Sequence, residues 1–402
     1  MIFLIVLSVS SVYSMTVDEA VTYALKNNPE LQSLGLEEEV AKGQLEKAKL
    51  PLIANPTLEG SVSKKDKTQE EGSGAFTNYG VKLSQEFEIA GQRKLRVNAA
   101  EKSLSKTGFE IKDRERELTY AIKDAFAKAL TAKRRVELVK EVVKLQEELL
   151  GFTIIKYQAG DVSGLEVNLA EVELSKAKRD LLSAEKESKE ALLALQGLMG
   201  ARPDTALNLE GELAPDTLSL PARERLQMLA ASQRPDIKAA YTEEERSKTA
   251  IALAKREAVP NVTLSGFYDK DERKDIVGVA VSIPLPLFDR KQAEKKEAKA
   301  RAEQAKLRLA GLEKTIEREI EEAYSTLTAS LNELALFKKE IESKTLENLN
   351  LLNLAFKEGK ISFFDVRLAQ RETIEIQFSH LDSMLRARQA LNAMEKAIGG
   401  AL

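Results

Sequence analysis

The sequence predicts a mainly α-helical protein of two tandem repeats, each joining long coiled-coil helices to one short strand pair. Three observations predict it. The 402-residue chain repeats itself: Asn55-Pro56-Thr57-Leu58-Glu59-Gly60 returns 206 residues later as Asn261-Val262-Thr263-Leu264-Ser265-Gly266. Asn28-Pro29-Glu30-Leu31 returns at the same offset as Arg234-Pro235-Asp236-Ile237, and Tyr157-Gln158-Ala159-Gly160 returns 199 residues on as Phe356-Lys357-Glu358-Gly359. Gln92 to Lys156 contains no Pro, and Gly only at 108 and 151; as helix it would span about 100 Å at ~1.5 Å per residue. Ahead of it lie two segments of period-two alternation with one apolar face.

Taken in order, residues 1–14 read as a signal peptide. Ile2–Val9 is apolar, and Ser8–Ser14 turns small and polar, which suits cleavage after Ser14. A buried N-terminal strand is the other reading, since no Lys or Arg precedes the apolar run. The first repeat covers 15–200. Thr16 and Glu19 have capping-box spacing, and Asn28-Pro29 suits a helix start. That helix runs to about Leu50, where Pro51 and Pro56 stop it. Strands follow at about 56–64 and 79–87, separated by a polar loop over Lys64–Thr77. Long helices are expected at 92–156 and 163–199.

Residues 201–221, with Pro203, Pro215 and Pro221, read as a linker. The second repeat covers 222–400, with strands at about 261–269 and 276–285 and helices at 289–356 and 362–398. A seam of alternating four- and three-residue steps runs Leu118, Ile122, Ala125, Ala129, Ala132, Val136, Val139, Val143. It recurs as Ile316, Ile320, Ala323, Leu327, Ser330, Leu334, Phe337, Ile341. Such spacing is that of a coiled coil.

Composition narrows the function. Charged residues make up 31% and hydrophobic ones 43%, with net charge −3, a load suited to long solvated helices. Without a basic block, nucleic acid is not an expected partner. The single histidine, His380, and the absence of cysteine remove most metal ligands and thiol nucleophiles. His380, Met384 and Met394 on one helix read as packing rather than a metal relay. No convergent catalytic cluster appears, so no enzyme activity, cofactor or resident metal is expected. No segment is apolar enough to cross a bilayer as a helix, so a membrane position requires a β-barrel. In water the apolar strand faces would invite aggregation; in a bilayer the same faces suit barrel strands.

The alternation puts Glu59, Ser61, Lys82, Ser84, Glu86, Ser265 and Ser282 on the polar face. In a barrel these line the lumen; on a soluble hairpin they are a solvated face. Leu58, Val62, Tyr79, Val81, Leu83, Leu264, Tyr268, Val279 and Val281 form the opposite face. Tyr79, Phe87, Phe267, Tyr268 and Phe288 are candidates for interfacial aromatics in a chain without tryptophan. At the far turns, Tyr157, Gly160, Leu165, Phe356, Gly359 and Phe364 form a candidate docking tip, packing within the hairpins being the alternative.

With these residues in view, the chain resembles the TolC family of outer-membrane efflux channels over about residues 16–400. The resemblance rests on Asn27-Asn28-Pro29-Glu30-Leu31, on Gln85-Glu86-Phe87-Glu88-Ile89-Ala90-Gly91-Gln92-Arg93 and on Ile283-Pro284-Leu285-Pro286-Leu287-Phe288-Asp289-Arg290. The two Gly-centred turns and the endings Leu198-Met199-Gly200 and Ala397-Ile398-Gly399 complete it. Its Glu-Ile-Ala-Gly-Gln-Arg form is most similar to the CzcC and CusC branch, which serves heavy-metal pumps. The resemblance implies a homotrimer whose twelve strands close one barrel in the outer membrane, continued by a helical tunnel in the periplasm. It implies a passive conduit docked on a periplasmic adaptor (membrane fusion) protein and an inner-membrane pump of the RND type. It also implies that Asp365, with Glu166 in the first repeat, lies at a periplasmic gate; a plain carboxylate at a helix N-terminus, favoured by the dipole, is the other reading of Asp365. Phe356 and Ile361 stand where the best-studied member's gate has a tyrosine and an arginine, so a polar lock is not expected. The competing readings are a periplasmic coiled-coil adaptor and a structural coiled-coil protein.

Overall fold

The computed structural model describes residues 13–66, 75–215, 220–272, 274–337 and 339–402. The Ile2–Val9 run of the expected signal peptide lies outside them. The first half contains β1 (Tyr13–Met15), α1 (Val17–Asn27), α2 (Pro29–Lys49), β2 (Thr57–Asp66), β3 (Ala75–Phe87), α3 (Gln92–Ala159) and α4 (Gly164–Met199). β4 (Leu207–Leu209) leads to the second half: α5 (Arg223–Gln233), α6 (Pro235–Arg256), β5 (Val262–Asp271), β6 (Lys274–Ser282), α7 (Gln292–Leu336), α8 (Lys339–Lys357) and α9 (Phe363–Ile398). The chain divides into two compact units.

One unit holds residues up to Ser33, Lys112–Arg234 and Lys314–Leu402. Its core gathers Ile122, Phe126, Ala129 and Leu130 of α3, Leu195 and Met199 of α4, Ala20 and Ala24 of α1, and Leu381 of α9. The seam expected from four-three spacing is buried at Ile122, Ala129 and Val139, and at Ile316, Ile320, Ala323 and Leu327. Alanines along it allow close helix approach. α1 starts on a capping box, Glu19 accepting from the Thr16 N–H at 2.8 Å.

The segment 201–221 is more than a linker. β4 pairs in parallel with β1, and Leu209 and Leu213 join the core. Cations tie it down: Lys133 donates to Asn208 Oδ1 and the Leu209 carbonyl at 2.9 and 3.1 Å, and Arg388 to the Leu213 and Ala214 carbonyls at 3.0 and 2.9 Å. These pairings depend on tertiary placement, and a three-residue strand leaves no periodicity to read.

Each repeat closes on a related knot. α4 ends at Gly200 (φ 68°), and a Cβ there would lie 2.7 Å from the Asn27 carbonyl. Asn28 caps α2 through its Oδ1 and donates to the Leu198 carbonyl at 2.9 Å. α9 ends at Gly399 (φ 84°), where a Cβ would meet Arg234 at 2.9 Å, and buried Arg234 donates to the Ala397 carbonyl at 3.0 Å and to Glu319 at 2.7 Å.

The second unit spans Leu34–Ile111 and Pro235–Glu313 and carries a four-stranded antiparallel sheet, β2-β3-β5-β6. The first hairpin is longer than the alternation suggested: Lys64, Lys65 and Asp66 pair with Thr77, Phe76 and Ala75. β6 ends earlier, at Ser282 rather than 285, because Pro284 has no N–H for the ladder. At both strand-to-helix passages a left-handed residue precedes a glutamine that caps its own turn. Gly91 (φ 76°) precedes Gln92, whose Oε1 accepts from the Ala90 N–H at 2.8 Å; Lys291 (φ 57°) precedes Gln292, whose Oε1 accepts from the Arg290 N–H at 2.7 Å. The helix expected at 289–356 is two, α7 and α8, whereas its counterpart α3 runs unbroken for 68 residues.

Gly200→Ala combines a strained φ with a clash on the Asn27 carbonyl, and Gly399→Ala a strained φ with a clash on the Arg234 Cγ. Each is expected to lower stability by roughly 1–3 kcal/mol, read as the midpoint of thermal loss of helical ellipticity. The Tyr120 phenol is pushed up to about 12, first by burial and then by the Glu395 carboxylate, with Arg116 opposing. Its unfolded counterpart ionises near ~10. The favourable term is therefore intact below about pH 10 and is lost as pH rises toward 12. Tyr120→Phe should flatten that part of the alkaline stability profile.

Candidate functional site

The sheet has two chemically opposed faces. Leu58, Leu83, Gly266 and Val279 are aligned across four strands, as are Gly60, Val81, Tyr268 and Val277. These rows form the apolar face, and Leu58, Val62, Val277 and Val279 are each more than 70% exposed. β-branched and leucine side chains suit a pleated surface, yet nothing among the described residues covers them.

The opposite face is polar and internally bonded. Glu59 and Lys82 are direct cross-strand partners, joined at 3.2 Å. Glu86 accepts from Asn261 Nδ2 at 2.7 Å, and Gln92 Nε2 reaches Asn261 Oδ1 at 3.2 Å. Ser84 and Ser265 share a buried hydroxyl contact of 2.9 Å. Two glycines make room here. A Cβ at Gly80 would meet the Asp269 carboxylate at 2.0 Å, and one at Gly278 would meet the Phe267 ring at 2.5 Å. Phe267 therefore lies over Gly278 on the polar face, which removes it from the aromatics expected on the apolar side. Among the described residues, β2 and β6 each keep one edge without a strand partner.

The helical unit carries the two turns. Gly160 (φ 84°) and Gly359 (φ 77°) supply the left-handed residue that ends α3 and α8. Tyr157, Leu165 and Phe364 are more than half exposed, and both glycines are open to solvent. Phe356 is not part of that surface. It is 2% exposed and meets Phe363 edge-on at 6.1 Å, in a small core with Leu149, Ala170 and Val366. The Phe363-Phe364 pair thus splits, one ring packing inward and the other facing out. Helix spacing alone does not tell which of two adjacent rings the core takes.

Asp365 and Glu166 occupy the same position in the two repeats: the third residue of a helix capped by serine. Asp365 accepts from Ser362 Oγ at 2.6 Å and is exposed. Glu166 accepts from the Ser163 N–H at 2.6 Å and is half-buried. Both carboxylates thus sit in capping boxes, stabilised at the positive end of a helix. Beside the turns, an amide chain crosses three helices. Gln370 Nε2 donates to Asn353 Oδ1 at 2.6 Å, Gln146 Nε2 donates to Gln370 Oε1 at 3.2 Å, and Asn353 Nδ2 donates to the Leu145 carbonyl at 3.4 Å. Polar residues inside an apolar seam were the only signal of it in the sequence. His380 stacks on Phe337 at 5.2 Å, a packing contact. Among the described residues no group of His, Cys, Asp and Glu is placed to hold a metal ion, and no helix is long and apolar enough to cross a membrane.

A sheet apolar on one face and polar on the other, with two edges that lack a strand partner among the described residues, has the pattern of a barrel-forming channel subunit. The profile of the family described as "Outer membrane efflux protein" matches residues 20–201 and 226–400, and the chain belongs to that family. It is 23% identical over 388 residues to the cobalt-zinc-cadmium resistance protein CzcC of Cupriavidus metallidurans, covering 96% of this chain and 90% of the relative. It is 22% identical to the pyoverdine export outer membrane protein OpmQ of Pseudomonas aeruginosa, over 83% of this chain and 72% of that one. The crystal structure of CusC superposes with a TM-score of 0.78 at 18% identity, over 96% and 92% of the two chains, which shows the shared TolC-like fold. The protein is thus an outer-membrane efflux channel.

Phe356→Ala is expected to cost about 3–5 kcal/mol by opening a cavity in the turn core, whereas Phe364→Ala should leave the thermal midpoint nearly unchanged. Parallel melts of the two variants check the inward and outward assignments.

Proposed function

We propose that the chain is the passive outer-membrane conduit of a tripartite pump that expels divalent heavy-metal cations. The observation that carries the conduit is the two-faced sheet with its two free edges. Three copies of this four-stranded sheet make a twelve-stranded barrel, an even number as closed antiparallel barrels require. Glu59, Lys82 and Glu86 then line the lumen and the valine-rich face meets lipid. The likeness to CzcC over nearly the whole of both chains supports the metal cargo. The likeness to OpmQ supports a second reading, export of a small organic chelator. In either case the protein is a channel and not an enzyme, and energy comes from the inner-membrane pump, of the RND type.

The exposed turn residues Tyr157, Gly160, Leu165, Gly359 and Phe364 are the surface on which a periplasmic adaptor would dock. Asp365 at the start of α9, seconded by Glu166, is the candidate gate. Three exposed carboxylates brought near one axis favour cations.

Deletion of the gene should sensitise its host to zinc, cobalt or cadmium, with resistance restored by the intact chain. Loss of export of a small organic chelator, with metal tolerance unchanged, would favour the second reading. The extracted protein should run as a trimer on unheated gels. In planar bilayers, Asp365→Asn should reduce selectivity for cations over anions by about two- to threefold without removing the pore.

A further inference from the structure

The apolar alternation of β6 does not stop where the strand stops. Val277, Val279 and Val281 continue through Ile283, Leu285 and Leu287, although hydrogen bonding to β5 ends at Ser282. Ile283, Leu285 and Leu287 are 50, 75 and 64% exposed, and Phe288 is 92% exposed. Charge then begins at once: Asp289, Arg290, Lys291, Glu294, Lys295 and Lys296. Lys291 is paired with Asp289 and Glu294, and Lys295 donates to the Arg290 carbonyl at 2.8 Å. Arg290 and Lys296 have no ion-pair partner among the described residues.

The first repeat handles the same passage differently. Two hundred residues earlier, Glu88 and Arg96 stand at the places of Phe288 and Lys296. They form a half-buried, two-pronged ion pair at 2.5 and 3.1 Å. The second repeat has exchanged this internal tie for an exposed ring and an unpaired cation. Pro284 and Pro286 lack the N–H groups that would carry the ladder onto β5 further, so the strap leaves the sheet while its apolar pattern continues.

We propose that the strap Ile283–Phe288 with Arg290 and Lys296 is a binding site for anionic glycerophospholipid in the periplasmic leaflet. The strap continues the lipid-facing row of β6, and the apolar run ends in an aromatic ring followed by cations. Apolar side chains reach the acyl boundary while Arg290 and Lys296 meet the headgroup phosphate. The proposal rests on the reading of Val277–Val281 as lipid-facing.

The absence of tryptophan supplies the test. Full-length Phe288→Trp and Val279→Trp are placed in nanodiscs of phosphatidylcholine with or without phosphatidylglycerol, either lipid carrying brominated chains. Both tryptophans should be quenched, and Trp fluorescence from the Phe288→Trp protein should be quenched preferentially by brominated phosphatidylglycerol. Adding Arg290→Gln and Lys296→Gln should lower that preference by on the order of tenfold and leave quenching of the Val279→Trp protein unchanged. Quenching of Val279→Trp without Phe288→Trp would mean that protein of a second copy covers the strap, and the proposal fails. Quenching of Phe288→Trp with no headgroup preference also overturns it. Failure of Val279→Trp to be quenched would refute the lipid-facing sheet itself.

Discussion

Backbone hydrogen bonding at the two outer edges of the sheet is the constraint on which the rest of the structure depends. β2 and β6 each present a row of donors and acceptors that no strand among the described residues satisfies, and an apolar medium makes each unmade bond costly. Only closure onto further strands removes both edges at once. The apolar face suits an apolar medium, and the two edges are where further strands can add. The polar face is already knitted by Glu59–Lys82 and Ser84–Ser265. Long helices follow from the same logic, because the duplicated strands leave the sheet through glutamine-capped turns that lead straight into α3 and α7.

The duplication conserves geometry more than chemistry. Both repeats end a long helix on a left-handed glycine pressed against the start of another helix, yet asparagine holds one joint and arginine the other. Both serine-capped helices carry a carboxylate at the third position, one exposed and one half-buried. At the strand exits the ion pair Glu88–Arg96 has no equivalent in the second repeat. Backbone requirements were thus kept in both halves, while side chains were free to specialise where each half meets different surroundings.

Much of this was legible in the sequence, because period two and four-three spacing are direct consequences of strand and helix geometry. The strand faces and the buried seam residues Ile122, Ala129, Ile320 and Leu327 follow from spacing alone. What spacing does not encode is partnership between distant segments. β1 with β4, the Arg388 clamp on residues 213–214, and Phe267 over Gly278 are each set by tertiary placement. Phe356 illustrates the limit at the candidate site: it lies beside a polar turn, which suggests exposure, but the facing helices leave a space that its ring fills. The shortened β6 could be read from Pro284, whereas the break between α7 and α8 has no comparable mark.

The amide chain of Gln146, Gln370 and Asn353 restricts how the hairpins can move. Each of its groups is matched to one partner on one helix turn, and Gln370 and Asn353 are shielded from water. Sliding α9 along its neighbours by even one residue would strand a carboxamide in an apolar seam, whereas pivoting the helices about that point keeps every bond. Relative motion of these helices at this level is therefore rotation around a fixed fulcrum rather than a change of helix register.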